Sequence, residues 1–213
     1  MLCTMFGLDD WIASRAHGGG LLAVTAVAVA LGLRHATDPD HLAAVGALVA
    51  GDEGAKGRAA RLGLCWGAGH ATSLFVLGLP VVLYRAYLPE SLQRAAEIAV
   101  GVVICLLAAS LLRRRGHDRQ PGRTPRRALG IGLLHGAAGS AGVGILLLAA
   151  IGTGWLAVGG LALFAACTAF SMAVLSTGLG TVLAARRARA LMPALAAATV
   201  VFGACYAFAA ASP

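Results

Sequence analysis

The chain has 213 residues, of which 59% are hydrophobic and only 12% are charged. Because soluble domains carry about 25% charged residues, this composition excludes an ordinary water-soluble protein and predicts an integral membrane protein. The net charge of +8 does not indicate nucleic-acid binding, since the basic residues are concentrated between the apolar runs. Continuous apolar runs without alternation favour an all-α membrane protein over a transmembrane β-barrel.

The predicted elements are about six transmembrane helices arranged in two halves. Residues 1–18 form an N-terminal segment, and residues 19–112 hold the first three spans. Residues 113–127 contain seven arginines and form a polar linker, and residues 128–213 hold the other three spans. The predicted spans are about 19–50, 62–84, 95–112, 128–151, 156–183 and 191–210. The first exceeds the roughly 20 residues that cross a bilayer, so we expect it to be kinked or broken.

The distribution of basic residues predicts the orientation of the chain. Loops one, three and five hold three, seven and three of the 17 Lys and Arg residues, whereas the opposite side holds three. Because cytoplasmic loops are enriched in Lys and Arg, we expect these three loops in the cytoplasm and both termini outside. The predicted location is the bacterial cytoplasmic (inner) membrane, with residues 1–18 extracytoplasmic and the linker 113–127 cytoplasmic.

A charged cluster interrupts the first span. Arg34, His35, Asp38, Asp40 and His41 lie within eight positions, and both flanks are apolar. Each charge at the bilayer centre costs about 2.5 to 3.5 kcal/mol on insertion scales, so the cluster needs internal partners and indicates a functional site. Imidazole and carboxylate groups together suit divalent first-row metals, whereas calcium and magnesium prefer all-oxygen ligands. The structural alternative is a salt-bridged kink in which Arg34 neutralises one aspartate and the histidines are only hydrogen bonded.

Pro39 lies inside this cluster. Proline lacks an N–H and clashes with the carbonyl four residues earlier, here that of His35, so we expect a kink that frees this carbonyl near the site. On an unbroken helix His35, Asp38 and His41 would share one stripe, with Asp40 to its side. The kink therefore decides how these side chains are arranged.

Two further histidines lie in predicted spans. His70 has Gly67 and Gly69 nearby, small residues that let another helix approach closely, and it is a candidate for the metal path. His135 is a second candidate, and its neighbour Gly136 is equally typical of close helix packing. For both histidines the alternative is a hydrogen-bonded packing residue.

Three motifs resemble the nickel/cobalt transporter family, the NiCoT or NicO group. The run from Arg34 to Leu42 is similar to its His-x4-Asp-His signature, and Gly69–Ser73 resembles a Gly-His-Ser/Thr motif of a neighbouring helix. Leu134–Ser140 resembles the shorter UreH-like members, which are linked to the nickel supply of urease. The resemblance implies that the first motif lies in a transmembrane helix and that its His and Asp side chains bind the transported metal.

We therefore predict a permease for a divalent transition metal, with nickel, and also cobalt, implied by the resemblance. The predicted site consists of the primary ligands His35, Asp40 and His41, the further ligands or hydrogen-bond acceptors Asp38 and His70, and the path residue His135. Arg34 would balance a carboxylate, because two ionised aspartates and one arginine carry −1 and a bound divalent ion changes this to +1. No cofactor is predicted beyond the transported ion.

The main alternative is a non-transporting membrane protein that binds nickel for a urease or hydrogenase maturation system. An enzyme is not predicted, since the chain contains no His-Glu-x-x-His, Gly-x-Ser-x-Gly or phosphate-binding Gly-x4-Gly-Lys-Ser/Thr motif. A thiol–disulfide carrier would need a closely apposed cysteine pair, for which Cys65 and Cys167 are the candidates. The predicted partners are a divalent metal ion and the lipid bilayer, with a second copy of the chain or a metallochaperone as further candidates, and no nucleic acid.

An internal repeat is also indicated. Residues 31–35 align with residues 131–135, and residues 69–75 align with residues 169–175, both at a separation of 100. Two three-span halves would have inverted topology, the architecture in which many transporters build a site from broken helices near the membrane midplane. The alternative is a chance match, which arises easily in sequence rich in Ala, Leu and Gly.

Overall fold

In the computed structural model, residues 20–49, 56–84, 89–113, 124–138 and 154–212 are described, together with 142, 145, 149 and 150. Over these residues the structure has seven helices with defined bounds and no strand, which confirms the predicted all-α class. The helices are α1 (Gly20–His35), α2 (Pro39–Val49), α3 (Lys56–Tyr84), α4 (Glu90–Leu112), α5 (Pro125–Ala137), α6 (Trp155–Leu183) and α7 (Arg186–Ala211). The predicted segment 1–18 and most of the linker 113–127 lie outside the described residues.

Several helices have the length and composition of membrane spans. α3, α4, α6 and most of α7 each qualify, and α1 with α2 qualifies as one bent span, which gives four to five candidates among the described residues. The fourth predicted span begins with α5 and continues into residues that lie mostly outside the described part. The structure therefore supports a multi-pass helical membrane protein, and the count of six stays a prediction.

The outer surface of the helices is apolar. Leu106, Phe170 and Phe208 are 65%, 64% and 74% exposed, and they belong to three different helices. Large apolar side chains are also exposed on the other long helices, and a soluble protein rarely exposes so many. This distribution fits helices whose outer surface contacts lipid.

The first span is broken where the sequence predicts a kink. α1 ends at His35, α2 begins at Pro39, and the two helices are bent by 51°. Pro39 occupies the first position of α2. A backbone N–H at this position has no partner within the helix, so proline costs no hydrogen bond there. The N–H of Asp38 donates to the carbonyl of His35 over 3.2 Å, and the N–H of Leu42 donates to the carbonyl of Asp38 over 3.0 Å. The carbonyl that we expected to be free is therefore hydrogen bonded within the break.

Glycines bring α5 into backbone contact with α3. A Cβ atom on Gly132 would collide with the carbonyl oxygen of Trp66, and one on Gly136 would collide with the carbonyl oxygen of His70. On the other helix, a Cβ atom on Gly69 would collide with the carbonyl oxygen of Leu129. In lipid, small residues allow this close approach, and van der Waals contact then holds the helices together. The predicted role of Gly69 in helix approach is confirmed.

The centre of α3 lies between two apolar clusters. Trp66 belongs to a buried cluster with residues of α2, α4 and α6, whereas Leu74 belongs to another cluster with residues of α1 and α6. His70 lies on α3 between these two residues and is fully buried. A polar residue at this depth requires partners inside the protein, since the surroundings offer none.

Candidate metal centre

Four helices and the break in the first span deliver polar side chains to one buried location. His35 is the last residue of α1, Asp38 lies in the break, and Asp40 and His41 occupy the first turn of α2. His70 comes from the middle of α3, and His135 comes from the last turn of α5. The six predicted site residues are all at most 6% exposed: His35, Asp38, Asp40, His41, His70 and His135.

Two aspartates orient three of the four histidines. Asp38 Oδ2 accepts from His35 Nδ1 over 2.9 Å. Asp40 accepts twice, with Oδ1 from His41 Nδ1 over 3.2 Å and with Oδ2 from His135 Nε2 over 3.1 Å. Because an ionised carboxylate can only accept, the protons of His35 and His41 reside on Nδ1 and their Nε2 atoms carry lone pairs. The lone pair of His35 Nε2 accepts from His70 Nε2, whereas that of His41 Nε2 has no partner among the described residues. Carboxylate–histidine pairs of this kind fix the tautomer and ring orientation of metal-binding histidines.

The Nε2 atoms of His35 and His70 share a hydrogen bond and have the spacing of metal ligands. His35 Nε2 lies 3.2 Å from His70 Nε2. Two nitrogens that are each about 2.1 Å from a common metal, at an angle of about 90–110°, lie about 3.0–3.4 Å apart. The two rings therefore need little movement to hold one ion, once the proton of His70 has shifted from Nε2 to Nδ1, which has no partner among the described residues.

His41 occupies the centre of the histidine cluster. Its ring centroid lies 4.7 Å from that of His35, 4.9 Å from that of His70 and 4.7 Å from that of His135. Two groups of three side chains could each hold a metal ion, because the ligand atoms within each group all lie within 4.8 Å of one another. His41 belongs to both groups. The first group is His35, His41 and His70, and the second is Asp40, His41 and His135.

Arg34 and Asp38 lie at the edge of the cluster. Arg34 Nη1 is 3.6 Å from Asp38 Oδ1, and the arginine side chain is 27% exposed whereas that of Asp38 is 8% exposed. This contact is the one that the predicted charge-balancing role of Arg34 requires. Asp38 belongs to neither three-residue group, and its hydrogen bond to His35 gives it the geometry of the predicted acceptor role.

Two aromatic residues outside the predicted site also line it. Trp66 is 1% exposed, and its ring centroid lies 5.7 Å from those of His41 and His135. Phe164 of α6 lies 5.8 Å from His35 between ring centroids. Trp66 precedes His70 by one helical turn, so the i, i+4 spacing was the available signal.

Three buried nitrogens at the site have no hydrogen-bond partner among the described residues. They are His41 Nε2, His70 Nδ1 and Trp66 Nε1. Leaving a buried polar group unpaired costs about 1–3 kcal/mol, so native proteins seldom retain three in one place without a reason. His41 Nε2 is the most informative, because its free lone pair lies at the centre of the cluster.

The cysteines in the described part of the chain form no disulfide. Cys65, Cys105, Cys167 and Cys205 are free thiols. The two candidates for a thiol–disulfide pair, Cys65 and Cys167, are therefore not joined to each other.

The fold and the cluster define an all-helical membrane protein with a buried His/Asp site at a broken span. The chain is 26% identical to the urease accessory protein UreH of Bacillus sp. (strain TB-90) over 188 residues, which cover 79% of this chain and 82% of that protein. No family model and no solved structure matches the chain. The relative supports the resemblance to UreH-like proteins that the motifs indicate.

Proposed function

We propose that this protein is a permease of the bacterial cytoplasmic membrane that carries a divalent transition metal ion through the buried His/Asp site. The observation that carries the proposal is the convergence of four imidazoles and two carboxylates on the broken first span, all of them buried. Ionisable groups at membrane depth are costly and typically mark substrate or ion pathways. Discontinuous helices near the midplane are a recurrent way to build such a pathway.

Nickel is the proposed substrate, and cobalt is expected to share the path. Imidazole-rich sites bind nickel, cobalt, copper and zinc, so the ligand chemistry sets only the class of ion. The choice of nickel rests on the motif resemblance to the nickel/cobalt transporters and on the name of the relative, which connects that protein to urease. Manganese and magnesium, which prefer oxygen ligands, are expected to be poor substrates.

The charges of the site suit a carrier that must release its cargo. Asp38 and Asp40 contribute −2 and Arg34 contributes +1, so a bound divalent ion changes the net charge of the cluster from −1 to +1. Neither state is far from neutral. The ion is therefore held mainly by imidazole coordination, and its release does not leave a large uncompensated charge in the membrane.

A second candidate function is a membrane accessory protein that binds nickel without transporting it. The word "accessory" in the name of the relative favours it. Such a protein would hold the ion for a metallochaperone or a second protein, and the same buried ligands would serve. The two functions differ in whether metal crosses the membrane when this protein is the only one present.

Uptake into proteoliposomes tests the proposal. Purified protein would be reconstituted alone, and uptake of Ni²⁺, Co²⁺, Zn²⁺ and Mn²⁺ would be compared with that of empty liposomes. We expect saturable uptake of nickel and cobalt that His41→Ala abolishes, while His117→Ala, in the Arg-rich segment, retains wild-type uptake. Metal binding without uptake would assign the protein to the accessory class. If the protein neither binds nor takes up metal, the cluster is a structural salt-bridged kink.

A further inference from the structure

The two halves of the chain make matching hydrogen bonds on either side of the site. Ser171 Oγ on α6 donates to the carbonyl of Leu33 on α1 over 3.0 Å. Ser73 Oγ on α3 donates to the carbonyl of Leu133 on α5 over 2.7 Å. The two leucines are 100 positions apart and the two serines are 98 positions apart. One contact is therefore the counterpart of the other, with α1 corresponding to α5 and α6 corresponding to α3.

The close helix contacts follow the same correspondence. A Cβ atom on Gly32 would lie 2.7 Å from the carbonyl oxygen of Phe164 on α6. A Cβ atom on Gly132 would collide with the carbonyl oxygen of Trp66 on α3. These glycines are again 100 positions apart, and the aromatic residues are 98 positions apart. The register of the two helix pairs is therefore the same.

This correspondence makes His35 and His135 equivalent residues. The ring of His35 lies 5.8 Å from Phe164, and the ring of His135 lies 5.7 Å from Trp66. His41 lies between the two histidines, with its ring centroid 4.7 Å from each. Each of the equivalent histidines belongs to one of the two three-residue ligand groups, and His41 is the member that the groups share.

We propose, on the basis of the proposed transport function, that the site consists of two overlapping metal subsites and that the ion passes between them while His41 remains bound to it. The three-imidazole subsite is formed by His35, His41 and His70. The carboxylate subsite is formed by Asp40, His41 and His135. One ion occupies the pair at a time, because both subsites need His41.

The ligand spacing is suitable in both subsites. His35 Nε2 and His70 Nε2 are 3.2 Å apart in the first, and Asp40 Oδ2 and His135 Nε2 are 3.1 Å apart in the second. Both separations fall within the roughly 3.0–3.4 Å expected for neighbouring ligands of one metal. Both pairs, one on each side of His41, are hydrogen bonds in the absence of metal, so the ion would replace the shared proton while the ligand atoms move little.

A shared ligand lowers the cost of moving the ion. If the ion left one complete ligand set before reaching another, it would lose all its coordination inside the membrane, where water cannot replace it. With His41 retained, the His35 and His70 pair can be exchanged for the Asp40 and His135 pair. Conduction requires binding that is favourable enough to admit an ion and divided enough to release it, and two subsites of similar strength meet this requirement.

Asp40 changes its role as the ion moves. With the ion in the three-imidazole subsite, its carboxylate holds the rings of His41 and His135 through the hydrogen bonds described above. With the ion in the carboxylate subsite, an oxygen of the same group becomes a ligand. The proton that His135 Nε2 donates to Asp40 would then move to Nδ1 of the same ring, which leaves a lone pair on Nε2 for the ion. His35 then returns to its contacts with Asp38 and His70.

Comparison of binding with flux tests the two-subsite proposal. His35→Ala, His135→Ala and His41→Ala would be measured for Ni²⁺ stoichiometry by equilibrium dialysis and for Ni²⁺ uptake in proteoliposomes, with His117→Ala as the matched histidine control. We expect His35→Ala and His135→Ala each to bind one ion per chain while their uptake falls to the level of empty liposomes. His41→Ala should lose both binding and uptake. Absence of uptake by the wild type would instead reject the proposed transport function.

Three results would overturn the two-subsite proposal. Wild-type uptake by His135→Ala would remove the carboxylate subsite from the path. Loss of all binding in His135→Ala would indicate a single site with four ligands. Binding of two ions per wild-type chain would show that His41 is not shared. Thermal unfolding of each variant, and the milder His135→Asn, would separate loss of ligand from loss of fold.

The absorption spectrum of bound Co²⁺ gives an independent test. His135→Ala should hold Co²⁺ with three imidazoles, whereas His35→Ala should hold it with imidazole and carboxylate, so the two spectra should differ. Identical spectra from the two variants would contradict the existence of two ligand sets. This measurement needs binding only and does not depend on transport.

Discussion

The two halves of the molecule place similar contacts around the site but supply different chemistry. The first half provides Asp38, Asp40, His41 and His70 in addition to His35, whereas the described part of the second half provides His135. Where α3 has His70, the corresponding position of α6 has Thr168, which is also fully buried but donates to the carbonyl of its own helix at Phe164. The helix contacts are thus similar in the two halves, whereas most of the ligands belong to the first half.

The largest expected effect comes from giving the first half the chemistry of the second. His70→Thr places at the centre of α3 the residue that α6 has at the corresponding position. Threonine can satisfy its own hydroxyl within the helix, as Thr168 does, so we expect the fold to be retained. The three-imidazole subsite loses one of its ligands, and nickel uptake should fall to the level of empty liposomes. Uptake within about threefold of the wild type would show that His70 is a packing residue.

The scaffold can be tested at one helix contact with a matched control. Gly132→Leu would force α5 away from α3, because its side chain would enter the space of the Trp66 carbonyl. Overpacking of this kind costs about 1–3 kcal/mol, and more where only backbone could yield, so we expect a lower unfolding temperature. Displacement of α5 moves His135 away from Asp40, so nickel uptake should be lost while the three-imidazole subsite still binds the ion.

Gly130→Leu is the control for this change, since a Cβ atom at Gly130 would meet nothing within 4 Å. It adds the same side chain to the same helix and should preserve both unfolding temperature and nickel uptake. Equal damage from the two substitutions would mean that the close contact with α3 does not position His135.

A smaller effect is expected where a carboxylate only orients a ligand. Asp38→Asn replaces the acceptor of the His35 Nδ1 proton with a weaker one and leaves Arg34 without this carboxylate. Changes to such orienting partners typically reduce metal affinity about 10–100-fold. We expect a loss of nickel affinity in this range when Asp38→Asn is made in the His135→Ala background, where the three-imidazole subsite binds alone, measured by dialysis or calorimetry.

The double variant Arg34→Gln/Asp38→Asn separates orientation from charge. If the unbalanced arginine contributes to the loss, removing it should recover part of the affinity. Complete loss of binding in Asp38→Asn would instead identify Asp38 as a direct ligand.

The smallest effect is expected at the aromatic residue that differs between the halves. Trp66→Phe makes the residue beside His135 the same as Phe164 beside His35. Phenylalanine keeps an aromatic contact and removes the buried N–H that has no partner among the described residues. The smaller side chain loses packing, which destabilises the site, and the removal of an unpaired donor stabilises it, so the two effects on stability oppose each other. We expect nickel affinity to change by less than about threefold.

A tenfold or larger loss of affinity in Trp66→Phe would contradict this expectation. It would show that the indole N–H contacts a group carried by the bound ion. Nickel-dependent quenching of tryptophan fluorescence, present in the wild type and lost in this variant, would provide the accompanying readout.

The proximity of the residues in the first half of the cluster could be predicted from the sequence, because the information is local. His35, Asp38, Asp40 and His41 lie within one helical turn of Pro39, and proline chemistry required a bend there. The bend is a break of 51° with Pro39 at the first position of a new helix. The sequence could not establish that the His35 carbonyl would be hydrogen bonded by Asp38, since this depends on the turn geometry inside the break.

The second half of the site depends on contacts between distant residues. The hydrogen bond from His135 to Asp40 joins residues 95 positions apart, and the glycines around His135 predict close packing without naming the partner helix. Trp66 was missed because a buried tryptophan near a histidine is usual in an apolar helix. The hydrogen bonds from Ser73 to Leu133 and from Ser171 to Leu33 could likewise be found only from the fold. The two serines are 98 positions apart and the two leucines are 100 positions apart, so no single sequence offset aligns both pairs.

X-ray absorption at the nickel edge tests most directly whether the buried histidine cluster is a metal site. Wild-type protein in lipid would be loaded with one equivalent of Ni²⁺ and washed, and the ligands of the retained ion would be counted. We predict at least two imidazole ligands at about 2.0–2.1 Å, the distance of metal–imidazole bonds in zinc sites, and loss of the retained nickel in His41→Ala. A retained ion surrounded only by oxygen, or equal retention by His41→Ala, would contradict the assignment.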